Sequence, residues 1–198
     1  MGLLSSNDIL RLMGEEKISV SPWNRANLRS NSLDVRLDTM FVYVAAFEGD
    51  VQYFGPLLVQ PGQKVWVPAG GTLLGRTIEQ IGTHHDIVAS MRSRSTTRRK
   101  GLTVCLDAGL GDIGYENHWT CEFSAHLNDG VYIRTGERFA QITFDRTETP
   151  PVSEYEGQYN VQDWPLCMVP EEYRDKILPL RLLHLVKGFE HVRLVKDG

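Results

Sequence analysis

The chain has 198 residues, 41% of them hydrophobic and 23% charged, with a formal net charge of -4. That length allows one domain with a substantial core, and the acidic balance excludes any global attraction to nucleic acid or to an anionic membrane, so a bound anion must be held by a local patch. Cys105, Cys121 and Cys167, an odd number without paired spacing, argue against a secreted disulfide framework and fit a cytoplasmic, reducing setting.

The stretch LSSNDILRLMG, residues 4–14, predicts a short helix: Ser6 or Asn7 caps it, Ile9, Leu10, Leu12 and Met13 form an apolar side, and Gly14 stops it. No basic region followed by an apolar one opens the chain, and its longest apolar run, MFVYVAAF at residues 40–47, is far shorter than the roughly 20 residues of a spanning helix. Neither a signal peptide nor a membrane segment is expected.

From Ser32 to about Arg146 the pattern becomes short runs of Val, Ile, Leu and aromatic residues, separated by turn signals at Gln60-Pro61-Gly62, Ala69-Gly70-Gly71 and Arg134-Thr135-Gly136. Such a pattern predicts an all-β sandwich or jelly-roll-like barrel with short flanking helices. Thr149-Pro150-Pro151 ends it, dividing a β-domain at 1–150 from a lid and tail at 151–198. The polar, aromatic segment SEYEGQYNVQDW reads as a mobile tail or lid, and a second helix is expected from Pro170 through Ile177, stopped by Pro179.

Two clusters carry chemistry. In RSRSTTRRK, residues 92–100, five of nine residues are basic and the other four bear hydroxyls. Three readings stand side by side: a phosphate cradle of forked Arg donors and hydroxyls, a solvated basic loop, or a nucleic-acid contact, which usually needs a broader basic face with stacking aromatics. In NHWTCEFSA, alternation puts Trp119, Cys121, Phe123 and Ala125 on one face and His118, Thr120, Glu122 and Ser124 on the other. If the second face meets solvent, Glu122 is an ordinary strand carboxylate; if it lines a cavity, its pKa rises toward neutrality and it can shuttle protons. The His-x-Glu and Pro-Cys-x-x-Cys pattern of zinc deaminases is missing, His84-His85 is an isolated pair, and neither a Walker loop nor a dinucleotide fingerprint occurs. No resident metal is expected.

Joined in order, RSTTRRKGL from Arg94, DAGLGDIGY from Asp107 and HWTCEF from His118 resemble the dCTP deaminase branch of the dUTPase-like superfamily. SLDVRL from Ser32, GERFAQITF from Gly136 and the lid-like YEGQY from Tyr155 extend the resemblance over residues 3–160. It implies a homotrimer of distorted β-barrels with sites between subunits, binding a deoxynucleoside triphosphate, dCTP or dUTP, with Mg²⁺ carried by the triphosphate. It implies that Arg94, Ser95, Thr96 and Arg99 contact phosphates or the transition state, with Gln141 as a further polar contact and Tyr155 and Gln158 closing over the phosphates. On the same resemblance Arg99 is expected to orient water, Asp112 to accept the sugar 3′-OH, Tyr115 to pack on the deoxyribose, main chain at Ala108 to read the base, small residues there admitting a flat base, and Glu122 to activate water at C4. Glu116 then reads as a surface turn residue.

The chain departs from the family pattern at Cys105, where His is usual, and at Asp107, where Thr is usual. Three activities remain open on this reading: deamination of dCTP to dUTP, triphosphate hydrolysis giving dUMP from dUTP or dCTP, and nucleotide binding without turnover.

Overall fold

The computed structural model describes residues 2–105, 108–160 and 166–189. Asp107 and the VQDW end of the lid-like segment therefore lie outside the described residues.

The chain opens with helix α1, Ser6–Gly14, and the fit between sequence and cap is close. The cap is Ser5, one residue before the expected Ser6: its side chain accepts from the Asp8 backbone N–H while Asp8 reaches back to the Ser5 N–H, a capping box. Ile9 and Leu12 are fully buried, each such burial contributing roughly 1.5–3 kcal/mol to holding the helix on the β-domain.

The strands are β1 (Ile18–Ser21), β2 (Leu33–Phe47), β3 (Asp50–Leu58), β4 (Lys64–Val67), β5 (Thr72–Thr83), β6 (Ile87–Ser93), β7 (Leu102–Thr103), β8 (Leu110–Gly111), β9 (Glu116–Ala125), β10 (Val131–Arg134) and β11 (Arg138–Arg146). A short helix, α2 (Ser95–Arg99), follows β6. The three expected turns fall between β3 and β4, β4 and β5, and β10 and β11, with Gly62, Gly70 and Gly136 at positive φ.

Nine strands form one antiparallel sheet ordered β7-β9-β5-β2-β11-β6-β8, with β1 added to β5 and β3 to β2; β4 and β10 pair separately. Strand β2 makes the sheet curl. Its first part pairs with β11 and its later part with β3, and the register slips where it crosses β5 between Leu37 and Phe41. Bulges of this kind increase local twist and let one strand serve two layers. The result is the mostly β, curled architecture that the strand-and-turn pattern predicts.

Two apolar clusters use opposite faces of the sheet. Phe41, Tyr43, Leu73, Cys121 and Phe123 point into the main core, whereas Val42 and Leu74 belong to a second cluster with Tyr53, Met168 and Val169. Period-two alternation dictates the split, and Glu122, between Cys121 and Phe123, falls on the face of the second cluster.

The C-terminal segment departs from the helix expected at Pro170 through Ile177. Its helical pieces are short 3₁₀ turns, Gln158–Asn160, Leu166–Met168, Glu171–Lys176 and Leu180–Leu185, packed on the β-domain. Pro170 and Pro179 each precede one of these turns, and with a proline so soon after it a longer α-helix cannot continue. No helix among the described residues is long and apolar enough to cross a membrane.

Candidate active site

A cavity of about 520 Å³ opens on the second face of the sheet, and five of the eleven predicted site residues are connected with it: Glu122, Asp112, Tyr115, Ala108 and Tyr155 all line it. Strand β9 presents Glu122; the β8–β9 connection presents Asp112 and Tyr115; the C-terminal segment supplies Tyr155.

Glu122 stands directly across from Leu74 in the β5–β9 ladder. Among the described residues its Oε2 is buried without a hydrogen-bond partner. Burial pushes its pKa up from 4.5 to about 7, against a smaller lowering by its own backbone N–H. The alternation-based choice between solvent and cavity therefore resolves in favour of the cavity.

The turn that carries Asp112 is held tightly. A Cβ on Gly111 would lie 2.3 Å from the Trp119 ring, and Gly114, at φ +97, would bring one to 2.5 Å from Glu154 Cβ. Glycine at these two positions leaves the room that Trp119 and Glu154 occupy. Tyr115 sits edge-on between Trp119 and Tyr155, at centroid distances of 5.7 and 5.9 Å. Its hydroxyl donates to the His118 carbonyl at 3.1 Å, and burial raises its pKa.

The lid-like segment is tied to that turn. Tyr155 N–H donates to the Ile113 carbonyl at 2.7 Å, Asn160 Nδ2 donates to the Gly114 carbonyl at 3.3 Å, and Asn160 Oδ1 accepts from the Glu116 N–H at 3.0 Å. Next to it, Glu154 accepts from the His85 N–H at 2.8 Å and pairs with His84 Nδ1 at 2.9 Å. Glu116 is thus more than a surface turn residue: it begins β9, accepts from Ser19 Oγ at 2.6 Å, and faces His84 Nε2 at 3.5 Å.

The other six predicted residues do not line this cavity. Ser95, Thr96 and Arg99 are exposed on α2. Arg94 pairs through Nε with Asp34 at 3.2 Å and donates through Nη1 to the Arg138 carbonyl at 2.9 Å. Gln141 lies in β11 opposite Asp34 on one side and Arg92 on the other. Gln158 accepts from the Glu171 N–H at 3.1 Å, within the C-terminal segment.

Sequence reasoning missed Asp34 and the C-terminal wall. Asp34, 2% exposed, receives Arg29 at 2.8 Å as well as Arg94, with Arg138 at 3.6 Å, so the acid of SLDVRL is the buried hub of an arginine cluster. An Asp in an otherwise apolar strand run was the available signal. Cys167, Met168 and Pro170 also line the cavity, from a segment whose lack of periodicity gave no cue. Cys105, the departure from His, is half-buried with its Sγ 3.3 Å from the Met91 carbonyl; burial, and secondarily Glu122, raise its pKa to about 11, so it stays a thiol.

Among the described residues no three His, Cys, Asp or Glu side chains are arranged to hold a metal ion. No lysine, arginine or histidine among them lines the cavity either.

Fold and site define a curled antiparallel β-protein whose cavity combines one desolvated carboxylate, one further acid and a wall of aromatic rings. The chain belongs to the dCTP deaminase-like family, whose model matches residues 3–147. It is similar to a protein of Leptospira biflexa named dCTP deaminase, dUMP-forming, with 32% identity over 160 residues, covering 79% of this chain and 89% of the relative. A dCTP deaminase of Haloarcula marismortui is 27% identical over 180 residues, covering 81% of this chain and 92% of that one. Among solved structures, a 2′-deoxycytidine 5′-triphosphate deaminase from Agrobacterium tumefaciens shares the fold, with a TM-score of 0.57 and 22% identity over 74% of this chain. The chain spans 48% of that longer one.

Proposed function

We propose that this protein deaminates dCTP, with Glu122 as the group that moves protons. The single observation that carries the reading is the Glu122 carboxyl, whose Oε2 is buried without a hydrogen-bond partner among the described residues and whose pKa burial raises to about 7, in a cavity it shares with Asp112 and Tyr115. A general acid/base works best when its pKa lies near the operating pH, because both protonation states are then within reach.

In this reading Tyr115 packs on the deoxyribose, Asp112 accepts its 3′-OH and the Ala108 main chain faces the pyrimidine. Glu122 takes a proton from water as the oxygen bonds to C4, and that proton goes to N3. Glu122 then carries the remaining proton of the new C4 hydroxyl to the amine, the C4–N bond breaks as the C4 carbonyl forms, and water plus dCTP have become dUTP plus ammonia.

A triphosphate needs cationic donors, and the cavity wall of one chain has none among the described residues. This supports a homotrimer in which Arg94, Ser95, Thr96 and Arg99 of a neighbouring protomer complete the site, with Gln141 and Gln158 as further polar contacts and Arg99 orienting the water. Mg²⁺ then arrives on the phosphate oxygens of the substrate. In the same reading residues 1–150 are the catalytic domain, residues 151–198 its lid and tail, and the enzyme works in the cytosol, where Cys105, Cys121 and Cys167 remain thiols.

The Leptospira relative's name favours a second product: further cleavage to dUMP, with Asp112 positioning water for attack on the α-phosphate. Incubation of the purified protein with dCTP and Mg²⁺, in parallel with dUTP, followed by chromatography of nucleotides and ammonia, tests both. Ammonia with dUTP marks deamination alone, ammonia with dUMP marks the coupled reaction, and dUMP from dUTP without ammonia from dCTP leaves only the hydrolase. Tight binding of either nucleotide without product overturns the enzymatic reading in favour of a regulator.

A further inference from the structure

The Glu122-bearing face of the sheet is covered by a piece of chain that the family match, ending at residue 147, leaves out. Met168 and Val169, 4% and 0% exposed, pack on Val42, Tyr53 and Leu74, with Tyr173 and Ile177 alongside. Leu74 is both a member of this cluster and the cross-strand neighbour of Glu122, so the apolar cover continues up to the carboxylate. Cys167 and Met168 line the same cavity as Glu122.

The cover is fastened at both ends. Arg174 Nε donates to the carbonyls of Leu166 and Val169, at 2.9 and 3.1 Å, and its Nη2 donates to that of Gln158 at 3.2 Å. Leu178 N–H donates to the Tyr53 carbonyl at 2.8 Å, and its own carbonyl accepts from the Gly55 N–H at 3.0 Å, adding a bridge at the edge of β3. One guanidinium on three carbonyls and a backbone bridge describe a fixed wall and not a hinged flap.

We infer that residues 166–177 are a built wall of the catalytic cavity and that Met168 is a positioning residue, acting through Glu122 by keeping water from its carboxyl. The role rests on Glu122 being the proton carrier proposed above. Among the described residues, the thiols of Cys105 and Cys121 and the hydroxyls of Tyr115 and Tyr159 interact with Glu122, while Tyr155, Cys167 and Asp112 line the same cavity. Arg92 stands near Cys105, and no lysine, arginine or histidine among the described residues lines the cavity. Exclusion of water by the wall is the controllable contribution, and burial is the largest cause of the upward shift.

The test uses the full chain without nucleotide, so it remains decisive even if no dCTP is turned over. Carboxyl ¹³C NMR of glutamate-labelled protein follows the Glu122 titration, identified by the signal missing in Glu122→Gln. Met168→Asn, which admits water, is expected to lower the midpoint by at least one pH unit, with Met168→Ala moving it the same way. Met168→Leu, of similar volume, keeps it, and so does Leu183→Val, a truncation in the other apolar cluster. An unchanged midpoint in folded Met168→Asn or Met168→Ala overturns the inference. Equal lowering in Leu183→Val overturns it as well, because general loosening would then explain the shift.

Discussion

Glu122 emerges opposite Leu74 from a ladder whose other face is main core, so the carboxylate of the site is rooted in apolar packing on both sides of its strand. Replacing it with Gln keeps volume and removes the ionisable group. Glu122→Gln is expected to remain folded and to bind dCTP, and to lose about 10²–10⁴-fold in kcat, the usual contribution of general acid/base catalysis. Single-turnover release of ammonia measures it, and normal turnover would end the proposed role.

The same substitution makes a stability prediction. A folded pKa of about 7 against 4.5 means that the native state binds more protons than the unfolded chain between those values. The stability associated with this group is therefore fully present below pH 4.5 and is lost as pH rises to 7, by on the order of 3 kcal/mol. Glu122→Gln should match the wild type in urea unfolding at pH 4 and exceed it at pH 8. In the wild type, kcat/KM should fall on the acid side with a midpoint near 7, where the base becomes protonated.

Arg94 and Arg99 should separate in their effects. Arg94 holds buried Asp34, whereas Arg99 is exposed at the end of α2. Arg99→Ala is expected to weaken triphosphate binding about 10- to 100-fold, the value of a charge-assisted contact, without changing the melting temperature. Arg94→Ala should lose affinity and also about 1–3 kcal/mol of stability, since Asp34 keeps only Arg29 and Arg138. Calorimetric titration beside thermal unfolding checks the pair.

Gly111 has no room for a methyl group against the Trp119 ring. Gly111→Ala should cost about 1–3 kcal/mol by overpacking and displace the turn carrying Asp112. Denaturant unfolding reads the first effect, and a raised KM for the nucleotide reads the second.

His84 clasps Glu154, the residue before Tyr155, and their contact holds the Glu154 carboxyl below its ordinary pKa. The stability from this depressed group is present above the unfolded value and is lost as pH falls through the folded one. The pair is partly exposed, so the loss is under about 1 kcal/mol and local. His84→Ala should speed hydrogen exchange at Tyr155, whose N–H anchors the segment to the Ile113 carbonyl, and at Asn160, whose side chain ties it to Gly114 and Glu116, while the centre of strand β9 keeps its protection.

Sequence alone determined the alternation of β9, the turns at Gly62, Gly70 and Gly136, the helix at the start and the family to which the chain belongs. These are local properties: period-two patterning, capping and positive φ depend on neighbours in the chain. It could not say whether the Glu122 face meets water, because that depends on Met168 and Val169, more than forty residues away and without periodicity. Nor could it tell that the glycines around Asp112 answer to Trp119 and Glu154, or that Asp34 gathers Arg29, Arg94 and Arg138. Desolvation and charge pairing are set by what the folded chain brings close, so only the tertiary structure turned a strand carboxylate into a group that titrates near neutrality.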